Sequence, residues 1–107
     1  MGKTIYDWWG YTLRILDKYP RLEAAAKRGA MLNARERREL AAVRQLLGEL
    51  ESTELGQLKA EMLRLRHFKH THDLEGVALK LHYSRRIIAA WHSETVRRLG
   101  VLMGLED

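Results

Sequence analysis

The 107-residue chain contains no cysteine and only one proline, Pro20. The absence of cysteine excludes a disulfide framework and any thiolate zinc site, and it suits a reducing compartment such as the cytoplasm. A single proline in an otherwise helix-forming composition makes the chain read as all-α. Long apolar runs are missing too: no stretch approaches the roughly 20 residues that cross a bilayer, so no membrane partner is expected. The opening MGKTIYDWWG lacks the basic-then-apolar layout of a secretory signal. Tyr6 stands where a myristoylation signal calls for Ser or Thr. Catalytic constellations are equally scarce. No Ser/His/Asp cluster, pair of catalytic carboxylates or phosphate-cradling Gly loop stands out, so neither enzymatic activity nor a cofactor is expected. His67, His70 and His72 match no closed zinc pattern, and no metal site is expected.

What the chain does have is positive charge. Its formal net charge is +5 and its isoelectric point is near 9.8, which favours an acidic partner, with nucleic acid first in line. The charge is uneven: residues 1–50 carry ten Lys/Arg against six Asp/Glu, whereas residues 74–107 carry five against four. Two of those four acids, Glu106 and Asp107, sit in the C-terminal tail and can lie away from a bound polyanion.

The length suits one compact domain. About five helices are predicted within it. Thr4 is a candidate cap for a first helix ending near Tyr19, where Pro20 should force a break. A short helical turn over residues 22–27 would stop at Gly29. Asn33 should cap the next helix, with Glu36 in capping-box register. That helix carries Leu40, Val43, Leu46, Leu47 and Leu50 on one face, and Arg35, Arg37, Arg38, Glu39 and Arg44 elsewhere. Ser52-Thr53 should cap a third helix with Leu55, Leu58, Met62 and Leu65 as its apolar stripe and Phe68 near its end. The polar run 67–72 reads as a loop or frayed end.

Residues 74–99, LEGVALKLHYSRRIIAAWHSETVRRL, have the clearest internal logic. Asp73 is a candidate cap, and Leu74, Val77, Ala78 and Leu81 follow at the spacing of one apolar helix face. Ser84 is a second cap candidate, and Ile88, Trp91 and Thr95 repeat the periodicity beyond it. Two short apolar stripes joined by a tight turn must fold onto each other, which is the packing problem of a helix-turn-helix. Val77, Ala78, Leu81, Ile88 and Trp91 form its expected core, with Ala78 small enough for a close crossing. The chain therefore divides into a helical scaffold, oligomerisation or partner-contact region over residues 1–72 and a helix-turn-helix over residues 73–107.

This segment resembles sigma-factor region 4 helix-turn-helices, and more closely the small phage regulators of late-gene transcription of the RinA/ArpU type. The residues that carry the resemblance are Leu74-Glu75-Gly76-Val77-Ala78, Leu81-His82-Tyr83-Ser84-Arg85-Arg86, Trp91, and Leu99 with the tail over residues 100–105. Tyr19-Pro20-Arg21-Leu22 and the helices before the motif are also similar to that group. The strong part covers about a third of the chain. The resemblance implies an all-α regulator in the cytoplasm of a bacterial host, with site-specific binding of double-stranded phage or prophage DNA. It further implies contact with RNA polymerase and no catalysis. Carried over position by position, it makes Arg85, Arg86, Ile87 and Ala90 the base-contacting residues. Lys80, His82, Ser84 and His92 are the matching phosphate contacts. The departure from the pattern is His82, where such motifs commonly have Gly in a left-handed turn.

Each feature also has a plainer reading. Arg85 and Arg86 would serve as ordinary surface charge, although cations are poorly placed at a helix N-terminus. Trp91 reads as a core anchor. Adjacent Trp8 and Trp9 cannot both face one core from a helix, which would leave one for a second subunit, as in a homodimer, or for polymerase. Two other functions use a similar segment: the small subunit of a phage DNA-packaging terminase, and a helical protein-interaction module that no longer touches DNA. Terminase subunits generally assemble into rings through long C-terminal helices, whereas this chain reaches Asp107 soon after Leu99.

Overall fold

A computed structural model describes residues 7–105. Thr4, Glu106 and Asp107 lie outside the described residues. Within them the fold is all-α, with no strand. Helices α1 (Trp9–Lys27), α2 (Ala34–Leu50), α3 (Glu54–Leu63), α4 (Leu74–Leu81) and α5 (Arg85–Leu102) follow in order, and α3 runs on into a π-helical segment, Arg64–Phe68.

The caps form where local chemistry predicts them. Asn33 and Glu36 make a reciprocal capping box, with Glu36 N–H donating to Asn33 Oδ1 at 2.7 Å and Asn33 N–H to Glu36 Oε1 at 3.0 Å. Thr53, Asp73 and Ser84 each accept from the backbone N–H three residues on. The stop after α1 is also as expected: Gly29 takes φ 77°, and Ala30 N–H donates back to the Ala25 carbonyl at 2.9 Å. That pairing closes the helix in a left-handed cap that favours glycine.

Pro20 does not break α1, which runs through it to Lys27. Proline removes one helical hydrogen bond and costs about 3 kcal/mol in a helix interior. Ile15 and Leu16 before it join the core, and Leu22 and Ala25 after it are buried as well. Each fully buried Leu or Ile contributes about 1.5–3 kcal/mol, so continuity across Pro20 wins. Glu23, beyond the proline, also accepts from Tyr19 at 2.7 Å and from Arg44 of α2 at 2.9 Å, tying down the second half of α1.

Three further expectations are corrected. Glu39, expected away from the apolar face of α2, is nonetheless fully buried. It accepts from the Tyr11 hydroxyl at 2.6 Å and pairs with Lys18 at 2.8 Å, both on α1. Leu55 of the third helix is exposed; Met62 and Leu65 of the expected stripe are buried, and Ala60 and Leu63 bury with them. His67 is neither loop nor frayed end: it sits in the π-helical segment at 2% exposure.

The core gathers Ile15, Leu16, Val43, Leu46, Met62, Leu63, Val77, Ile88, Val96 and Leu99. It draws on residues from both sides of the 72/73 boundary, because α5 packs on α1, α2 and α3 as well as on α4. Trp8 and Trp9 are both half-buried against it, with ring centroids 5.7 Å apart. Trp8 caps the helix, its carbonyl accepting from Thr12 N–H at 3.0 Å, and Trp9 opens it. The Trp8 ring lies against Gly100 of α5, where a Cβ would come within 2.6 Å of it.

Candidate nucleic-acid interface

Helices α4 and α5 meet through a three-residue turn, residues 82–84. Val77 and Ala78 on α4 and Ile88 and Trp91 on α5 are buried between them, with Leu81 half-buried at the edge. The small side chain of Ala78 permits this close crossing. His82 ends α4 at φ 65° and ψ 39°, the left-handed conformation expected for a glycine position. The Ala78 carbonyl accepts from the N–H groups of both His82 and Tyr83, which locks the turn. Tyr83 then lays its ring on Trp91, with centroids 4.8 Å apart. Lys59 of α3 approaches the same Trp91 ring at 5.9 Å and pairs with Glu94 of α5 at 3.2 Å. The first half of α5 is therefore held from two sides, at Trp91 and Glu94.

Around this turn the structure brings together most of the sequence-predicted contact residues. Lys80, His82, Ser84, Arg85, Arg86 and Ala90 are exposed, and Ile87 is 40% exposed. Among the described residues, Lys80, Arg85 and Arg86 form no ion pair. Farther along α5 the pattern reverses, because Arg98 makes a two-pronged pair with Glu49 of α2 at 2.9 and 2.7 Å. Arg85 and Arg86 occupy the first turn of α5, where the helix presents its positive end. Cations there raise the local potential instead of offsetting it, so an anion facing this turn meets both charges and helix dipole.

His92 is not part of this group. Its ring turns inward, with Nε2 2.8 Å from His67 Nε2. Burial pushes it down to about 4, and the neighbouring His67 and Arg66 act in the same direction. Ser93, by contrast, is exposed three residues beyond Ala90 and continues that face of α5. Helical spacing from Ile87 and Ala90 was the signal for it.

The sequence reading also missed Asp17, His67 and His92 as a unit. Asp17 Oδ1 lies 2.7 Å from His67 Nδ1, so both nitrogens of His67 are engaged. His67 falls four residues after Leu63 and seven after Ala60, which was a usable sign of burial. Among the described residues, no group of three or more His, Asp or Glu side chains is arranged to hold a metal ion. A cavity of about 230 Å³ at the far end of α5 is lined by Arg38, Ala41, Ala42, Gln45, Leu102 and Met103. These side chains bring together neither a nucleophile with a base nor paired carboxylates. No helix among the described residues is long and apolar enough to cross a membrane.

Comparison of the chain with models of protein families, with curated proteins and with solved structures finds no match.

Proposed function

We propose that this protein is a sequence-specific, double-stranded-DNA-binding transcriptional regulator of phage or prophage origin, of the RinA/ArpU kind. In this reading α4, the turn and α5 act as a helix-turn-helix, and the start of α5 enters the major groove. The observation that carries the proposal is the set of exposed cations without acidic partners, Lys80, Arg85 and Arg86, gathered at one rigid turn. Their chemistry fits phosphate and guanine. The guanidinium forks of Arg85 and Arg86 suit guanine O6 and N7, a pairing worth about 1–3 kcal/mol of discrimination. Ile87 and Ala90 beside them suit thymine methyl groups. Lys80, His82 and Ser84 suit phosphates, which position the protein without reading sequence. RNA polymerase and a second copy of this chain are the proposed protein partners.

The test is selection of duplexes from a random pool, followed by affinity measurement on the selected site. Arg85→Ala and Arg86→Ala should each relax preference at one base pair. Lys80→Ala should weaken all duplexes alike. Failure to enrich any sequence, or unchanged preference in both arginine variants, refutes the assignment. A large ring in light scattering would support the terminase reading in its place.

A further inference from the structure

Helix α5 is held mainly by apolar packing, but near its middle it is also held by a polar chain. Asp17 of α1, His67 of the π-helical segment and His92 of α5 are joined end to end at 2.7 and 2.8 Å. The planes of the two imidazole rings are within 12° of parallel, with centroids 5.0 Å apart, and His67 is 2% exposed. A contact between two Nε2 atoms at 2.8 Å needs one hydrogen between them. With none it is repulsive, and with two the donors collide.

We propose that Asp17, His67 and His92 form a proton-counting latch, which holds α5 on the π-helical segment with zero or one added proton and opens on the second. With no added proton, His67 donates Nδ1–H to Asp17 and accepts at Nε2 from His92 Nε2–H. One added proton enters at His92 Nδ1 while the hydrogen between the rings passes to His67 Nε2. His67 is then the cation, paired with Asp17, and His92 is neutral and accepts at Nε2. The link survives with its direction reversed. A second proton leaves both Nε2 atoms as donors on two adjacent cations, and the link must break.

The surroundings grade the two steps. From α1, Asp17 favours the first proton. From the π-helical segment, Arg66 opposes both, and His70 just beyond opposes charge on His67. His70 Nε2 is itself 3.4 Å from Asp17 Oδ1 and competes for the same carboxylate. Burial outweighs Asp17 at His67, which is held below the usual imidazole range, and it pushes His92 down to about 4. The inference concerns the fold and stands whether or not α5 reads DNA.

An imidazole ¹⁵N NMR titration of the whole protein from pH 8 to 3, with amide exchange of α5 followed in parallel, tests the latch. The expected result is two separate steps. In the first, the His92 Nε2 signal changes from a protonated to an unprotonated nitrogen while α5 stays protected. In the second, α5 loses protection, its protection factor falling about tenfold for each unit by which the pH drops. His92→Gln keeps a donor toward His67 but cannot take a proton, so its α5 should stay protected where the unmodified protein has opened. The proposal is overturned if His92 Nε2 keeps its form through the first step or if the two rings titrate together. It is also overturned if α5 opens at the same pH in the glutamine variant. Should that variant not fold, the titration of the unmodified protein decides alone.

Discussion

Glu39 lies at the contact of α1 and α2 with no exposed surface, and its carboxylate accepts from Tyr11 and is ion-paired with Lys18. Burial alone would raise its pKa, yet the hydrogen bonds from Lys18 and Tyr11 hold it below the usual carboxylate value. Removing one member of a buried pair strands the other, at about 3–5 kcal/mol. Lys18 keeps some access to water, so Glu39→Ala should destabilise by about 3 kcal/mol, the lower end of that range. Tyr11→Phe removes one hydrogen bond and should lose about 1 kcal/mol. Urea denaturation of the two variants checks both values. Equal losses would mean that the charge pair contributes nothing beyond the hydroxyl contact. The sequence sets Glu39 off the apolar face of α2 with no sign of its burial, because Tyr11 and Lys18 lie on another helix, 28 and 21 residues away. A charge looks free when its partner is distant in sequence.

The buried imidazoles set the pH dependence of stability. His92 titrates near 4 in the folded chain and near 6.5 when exposed. Above about 6.5 the ring is neutral in both states and has no effect. Below that value the unfolded chain takes up a proton that the folded one refuses, so stability falls as the pH drops. The loss levels off near pH 4 and amounts to about 3 kcal/mol for His92 alone. Denaturation midpoints at pH 7.5, 5.5 and 4.5 should decline in that order, and His92→Gln should flatten the decline. An unchanged slope in that variant would assign the acid sensitivity to other groups.

At the scale of elements, what could be read from the sequence is what is local. Asn33, Thr53, Asp73 and Ser84 cap their helices through bonds spanning three residues, which a short window contains. Helix periodicity likewise identified Val77, Ala78, Ile88 and Trp91 as buried. Pro20 was misread because its local signal is opposed by contacts with α2 and the π-helical segment, which no window shows. The Leu16 carbonyl, left without its helical donor, then becomes a site of recoverable stability. Pro20→Ala should restore that bond and regain part of the roughly 3 kcal/mol that proline costs in a helix. Loosening the unfolded chain gives back about 1 kcal/mol. A net gain near 2 kcal/mol is expected, read as a higher thermal midpoint. A fall in the midpoint would show that α1 relies on a bend at this position.

For the whole molecule, the question is whether one copy can read a DNA site. The chain carries a net charge of +5, but its segment of residues 74–107 has a surplus of only one. In the proposed reading Lys80 is the one cation that meets phosphate, while Arg85 and Arg86 meet bases. Each phosphate neutralised on duplex DNA contributes about −0.9 to the slope of log affinity against log salt. If the turn acts alone, with a few phosphates engaged, the slope should be near −3. Two copies on a symmetric site should double it, and the selected sequence should then repeat about 10 base pairs apart, one turn of the duplex. The discriminating measurement is a salt titration on a half-site and on the full selected site, with sedimentation reporting the mass of each complex. A doubled slope together with a doubled mass assigns specificity to a dimer. A steep slope with a single copy bound instead brings in the basic surface of α1 and α2, where Arg14, Arg21, Arg28 and Arg38 are exposed. Charge reversal there, as in Arg38→Glu, should then lower the slope without changing the sequence preferred.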